Sequence, residues 1–293
     1  MRASRVFVVA SVALLLGALV GGGLALALQS NGGSGVPSRE TGAAPIAYPT
    51  ASGDALLRVS WRDAADAPVR LEPAPPNIVL FGDGLLVTFG LPCTATSNGP
   101  SGLWAIRDTS AVRLTPEGVR AVLARAQAAG MFDASASYGD VRATGGELFA
   151  LSAGSARRTF AFADGASATP AGATATEVSA RERFGSFACD LLDRSWLPAG
   201  SVEPGEASAF DRVAVYVKDG GSGSPAGTWP LDHPLATFGK ASSVAGYRCE
   251  VVEGRQLAVL VRHVETHHPA VWRSGGNTYT VAFRPMLPGD PGC

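Results

Sequence analysis

The side chains best suited to chemistry gather in His263-Val264-Glu265-Thr266-His267-His268, with His233 the remaining histidine of the chain. Imidazole nitrogens and a carboxylate are good zinc ligands, so His263, Glu265, His267 and His268 form a candidate metal set. Two geometries compete. His263 and His267 stand four apart, which places them on one face of a helix, whereas in a strand His263, Glu265 and His267 share a face. The preceding run Leu257-Ala258-Val259-Leu260-Val261 favours a strand, and a polar strand end is the simpler account of the cluster. The order also lacks the His-Glu-x-x-His arrangement in which glutamate serves a metalloprotease. A zinc-assisted hydrolase is therefore the alternative function, with zinc its candidate cofactor.

Other chemistries find less. The Gly-x-Ser-x-Gly elbow of α/β-hydrolases does not occur, and Ser222 and Ser224 lie in a glycine-rich loop, the opposite of a strained nucleophile turn. No Gly-Lys-Ser/Thr phosphate loop or strand-Gly-x-Gly-x-x-Gly-helix unit is present, so no catalytic or cofactor-binding residue is assigned. Trp61, Trp104, Trp196, Trp229 and Trp272 are dispersed, which suits packing better than a sugar-stacking platform. With 24 basic and 25 acidic residues the net charge is −1, and no global field attracts nucleic acid.

The position of these residues in the cell follows from the N-terminus. After Met1-Arg2-Ala3-Ser4-Arg5, the chain runs from Val6 to Leu28 without a charged side chain. As a helix, roughly 23 residues span ~35 Å, enough for a ~30 Å hydrocarbon core. Arg2 and Arg5 hold the N-terminus inside by the positive-inside rule, so the body is expected outside the cytoplasm. Two fates stay open. The length of the run favours an uncleaved single-pass anchor, while Ala25-Leu26-Ala27 offers a small-residue site for signal cleavage and secretion. The four cysteines are Cys93, Cys189, Cys249 and Cys293, with no Cys-x-x-Cys pair. In an oxidising compartment they are expected as two disulfides, and pairing within each half of the chain favours Cys93 with Cys189 and Cys249 with Cys293.

The elements that must carry these groups are short. Residues 1–28 are the anchor or signal, and residues 29–49, rich in Gly, Ser, Pro and Ala, form a linker. An α+β domain is expected over 50–200 and a β-rich domain over 205–293, the stretch from Pro198 to Gly205 supplying the boundary. Strands are expected at Leu56–Trp61, Asn77–Phe81 and Leu85–Phe89. Gly82-Asp83-Gly84 turns the second into the third, so Asp83 is a turn residue before it is an acid. Thr115-Pro116-Glu117 opens a helix that Gly130 ends. A hairpin pairs Glu147–Ser152 with Arg157–Phe162, where Arg157 and Arg158 protect an edge by charge. A second helix runs from Glu177 to Leu192. Beyond Phe210–Val217, a further hairpin is expected between Tyr247–Val252 and Gln256–Val261, and a last strand at Asn277–Phe283. The fold class is thus α+β: antiparallel hairpins with two main helices behind an apolar N-terminal helix.

The series Asn77–Phe81, Gly82-Asp83-Gly84, Leu114-Thr115-Pro116-Glu117-Gly118, Tyr138-Gly139 and Arg284-Pro285-Met286-Leu287-Pro288 resembles uncharacterised exported bacterial proteins. The resemblance covers Leu56 to Cys293 and implies a shared hairpin, short helix and proline-rich tail, with no activity attached. The leading functional expectation is an extracytoplasmic interaction or envelope module. Its partners would be the membrane, through the N-terminal helix, and an unidentified envelope protein or ligand.

Overall fold

The computed structural model describes residues 46–62, 76–89, 109–221, 227–266 and 271–293. The expected membrane or signal segment Val6–Leu28 lies outside them. Among the described residues no helix is long and apolar enough to cross a membrane. The body is mixed α+β, built on two sheets that belong to one compact unit.

The first sheet has seven strands: β1 (Ala55–Arg62), β2 (Ile78–Phe81), β3 (Leu85–Phe89), β4 (Thr109–Arg113), β5 (Ala136–Tyr138), β6 (Gly146–Ala153) and β7 (Ala156–Ala163). Their order is β4-β3-β2-β1-β6-β7-β5, and every pair is antiparallel except β5 with β7. β2 and β3 are buried at every position, which explains why Thr88 is their one polar residue: both faces are covered, so no polar alternation is required. In the turn between them, Asp83 Oδ1 accepts from the Leu85 amide at 3.2 Å, and Oδ2 meets Arg113 Nη1 at 2.9 Å. Gly84 has φ +86°, and a Cβ there would stand 2.2 Å from the Leu114 carbonyl oxygen. The sharp turn and the close approach of β4 both demand glycine.

Two helices cover the inner face. α1 (Pro116–Ala129) begins as its sequence dictates: Thr115 Oγ1 accepts from the Gly118 amide, proline occupies the first turn and Gly130 closes the helix at φ 95°. α3 (Ala175–Asp193) is capped by Thr174 in the same way. Val119, Val122, Leu123, Phe184, Phe187 and Leu191 meet Val59, Leu80, Phe149 and Phe162 in a single core. Phe184 is its centre, with ring centroids 5.1 Å from Phe149, 4.6 Å from Phe160 and 5.1 Å from Phe162. Ile46 and Tyr48, which fall in the expected linker, also pack against this core. The four-residue α2 (Val141–Thr144) lies on the opposite face.

The second sheet has six strands: β8 (Arg212–Asp219), β9 (Gly227–Thr228), β10 (Lys240–Ala241), β11 (Arg248–Glu253), β12 (Val271–Ser274) and β13 (Asn277–Met286). The order is β10-β11-β8-β13-β12-β9. Alternation along β8 sends Val213, Val215 and Val217 into one core and Ala214 and Tyr216 into another. α4 (Gly254–Thr266) covers the valine side.

That helix corrects the expected hairpin partner at Gln256–Val261. Leu257, Leu260, Val261 and Val264 recur at helical spacing, with Leu260 and Val264 buried against β8 and β11, and this stripe overrides the β-branched run. The fold therefore has three helices of 13 residues or more among the described residues, where two were expected. The stretch between the two sheets is also ordered. The Ser201 carbonyl accepts from the Thr115 amide at 2.9 Å, and the Glu203 amide donates to Arg113 at 2.8 Å. A Cβ on Gly118 would stand 2.4 Å from the Ser201 oxygen, so glycine lets this segment lie against α1.

Candidate functional site

His263 sits in the last turns of α4, on its exposed side, with Nδ1 3.2 Å from the Val259 carbonyl oxygen. In a helix the three-residue strand face of His263, Glu265 and His267 does not arise. Glu265 is two positions farther along α4, about 200° around the axis. The Glu265 side chain, His267 and His268 lie outside the described residues. Among those described, no three His, Cys, Asp or Glu side chains converge as a metal set.

His233 has a different setting. Its Nδ1 is 3.5 Å from Glu250 Oε2, and that oxygen also accepts from the Gly239 amide at 2.8 Å. The ring packs on Phe238 with centroids 5.2 Å apart. Nearby, Trp229 and Trp272 stand edge to face at 5.7 Å in the core, as their dispersed spacing implied. Trp104 lies outside the described residues, as do Ser222 and Ser224.

The cysteines carry the firmest feature. Cys249 on β11 is bonded to Cys293, 44 positions later in the sequence, with Cα atoms 5.6 Å apart. Cys189 on α3 is also disulfide-bonded, and Cys93, its expected partner, lies outside the described residues. The closing tail is held a second time. Arg284, 1% exposed, directs Nη1 to Asp290 Oδ2 at 3.5 Å and Nη2 to the carbonyls of Pro291 at 3.2 Å and Gly292 at 3.4 Å. Asp290 Oδ2 also accepts from the Leu287 amide at 3.0 Å.

One acid has a perturbed environment. Glu147 on β6 is enclosed between Trp61 of β1 and Phe162 of β7 by strand register. Burial pushes its carboxyl above the ordinary value of 4.5, partly opposed by the Ala166 amide, which donates to Oε2 at 3.1 Å. Ionisation of Glu147 thus opposes folding. The penalty is absent below the ordinary glutamate range, where the acid is protonated in folded and unfolded chains alike, and complete above the raised value. Glu147→Gln keeps an oxygen for the Ala166 amide and removes the charge. The variant is expected to be more stable than the parent in urea melts at about pH 8, with the gap closing towards about pH 4. A gap independent of pH would show that the charge is not the cause.

No protein-family model, curated protein or solved structure matches the chain.

Proposed function

We propose that the protein is an extracytoplasmic interaction module, tethered by residues 1–28 or released by cleavage after Ala27. The observation that carries this reading is the Cys249–Cys293 bond, which fastens the tail to β11. Such staples persist in oxidising compartments and are uncommon in the reducing cytosol. The apolar segment Val6–Leu28 supplies the route there, and Arg2 and Arg5 supply the orientation.

The test is made on the full chain in a bacterial host. Protease added to spheroplasts should digest the body, and alkylation without reductant should find no reactive thiol at Cys249 or Cys293. A protease-protected body with both thiols alkylated would overturn the reading. The same preparation decides against the alternative. Stoichiometric zinc in the purified protein, lost in His263→Ala, would replace the interaction module with a metal-assisted hydrolase using His263, Glu265, His267 and His268.

A further inference from the structure

Among the described residues, the outer face of the first sheet, opposite α1 and α3, is covered at two places and open between them. At one end Val141 of α2 packs on Leu148, Ala161 and Ala163. At the other, Leu287 with Ala207 and Ala209 covers Val79, Phe81 and Val87. Strand register sets Arg58, Ala150 and Thr159 in one row across β1, β6 and β7, and Ser152 beside Arg157 in the next row on the same face. The small Ala150 side chain, flanked by longer neighbours, leaves a hollow of about 310 Å³.

The charge of this hollow is one-sided. Among the described residues, Arg58 and Arg157 line it on this face together with the hydroxyl residues Ser152 and Thr159, and no carboxylate does, while Arg158, paired with Leu151, faces the other way. Arg113, Arg125, Arg181, Arg248 and Arg284 each hold an acid elsewhere in the fold. Among the described residues Arg58, Arg157 and Arg158 hold none. Arg157 Nη1 reaches only main-chain oxygens, of Gly154 at 3.3 Å and Ala156 at 2.9 Å, and Arg158 Nη1 reaches that of Arg157 at 3.1 Å. A guanidinium has five N–H donors, so most remain available.

Charge on an edge accounts for Arg157 and Arg158 but not for Arg58. Arg157 and Arg158 precede the Phe160–Phe162 stretch that β5 pairs, so β7 is an edge where they stand, but Arg58 belongs to the central β1, where no edge needs protection. Guanidinium forks match oxyanions, and two of them beside a pair of hydroxyls suit a tetrahedral dianion with many acceptor oxygens better than a single carboxylate. We infer that the hollow over Ala150 is a binding site for a phosphate group, held by Arg58 and Arg157 with help from Ser152 and Thr159. The assignment goes beyond the compartment reading and does not depend on it.

The experiment uses the purified full chain at low salt. Calorimetric titration with inorganic phosphate and pyrophosphate is run beside co-sedimentation with phosphatidylcholine vesicles, with and without phosphatidic acid. Saturable binding is expected, weakened about tenfold or more by Arg58→Gln and equally by Ala150→Leu, which fills the hollow while keeping every charge. Arg58 is half-exposed and without a partner among the described residues, so Arg58→Gln keeps the test interpretable if Ala150→Leu perturbs the sheet. Binding of the free anions identifies a soluble phosphate ligand. Binding confined to phosphatidic acid vesicles, and lost in the variants, identifies a lipid headgroup. Absence of binding to every probe, or binding that both variants retain, would overturn the site.

Discussion

Arg181→Ala is expected to cost about 3–5 kcal/mol, the range for removing one member of a buried, hydrogen-bonded ion pair. Arg181 is 2% exposed on α3. Its Nε donates to Glu177 Oε1 at 2.9 Å one turn earlier, and Nη1 donates to the carbonyls of Ala163 at 3.1 Å and Gly165 at 2.5 Å. Nη2 reaches the Tyr138 carbonyl at 3.4 Å, and the guanidinium lies 5.6 Å from the Phe162 ring centre. One side chain therefore fastens α3 to β5, to the end of β7 and to the turn that follows. That turn contains Asp164 at φ 62°, a conformation unfavourable for a non-glycine residue, and Arg181 bonds the carbonyls on either side of it. Alanine would leave those oxygens and Glu177 without their donor, and a cavity beside Phe162. Urea denaturation at constant pH measures the loss. Arg181→Lys should recover only part of it, because a single ammonium cannot reproduce the planar fork. A cost below about 1 kcal/mol for Arg181→Ala would mean that water replaces the arginine without penalty.

This anchor marks the limit of what the chain discloses before folding. α1 was legible because its signals are local: Thr115, Pro116 and Glu117 start it and Gly130 stops it. The β2–β3 hairpin was legible for the same reason, through Gly82-Asp83-Gly84 between apolar runs. α4 was not, since five consecutive apolar residues from Leu257 to Val261 satisfy either period, and only Val264 completes the helical stripe. β4 has no alternation of its own and exists through its pairing with β3 and the Arg113–Asp83 contact. β9 and β10, two residues each, have no sequence signal at all. The candidate sites divide in the same way. Arg157 announces charge, but Arg58 joins it on one face only through the register of β1, β6 and β7, which is set by the core on the other face. The burial of Arg181 likewise depends on carbonyls from other segments, of Tyr138, Ala163 and Gly165.

Removing the Cys249–Cys293 bond is expected to have an effect of similar size by a different mechanism. Closing a loop of 44 residues restricts the unfolded chain by about 4 kcal/mol in the chain-entropy treatment. Cys249→Ala with Cys293→Ala should therefore lower the melting temperature by about 10 °C in a domain of this size. The folded state opposes part of that loss, because Arg284 still grips Asp290, Pro291 and Gly292. Two clamps thus hold one tail, and their energies should couple. With the disulfide intact, Arg284→Met leaves Asp290 unpaired near a tail that cannot depart. Without the disulfide, the tail can fray and carry Asp290 into water, so the same substitution should cost less. A double-mutant cycle measured by calorimetry is expected to show an interaction of at least about 0.5 kcal/mol with the double variant less destabilised than the sum. Strict additivity would show that the Arg284 contacts stabilise the second sheet itself and that the disulfide alone retains the tail.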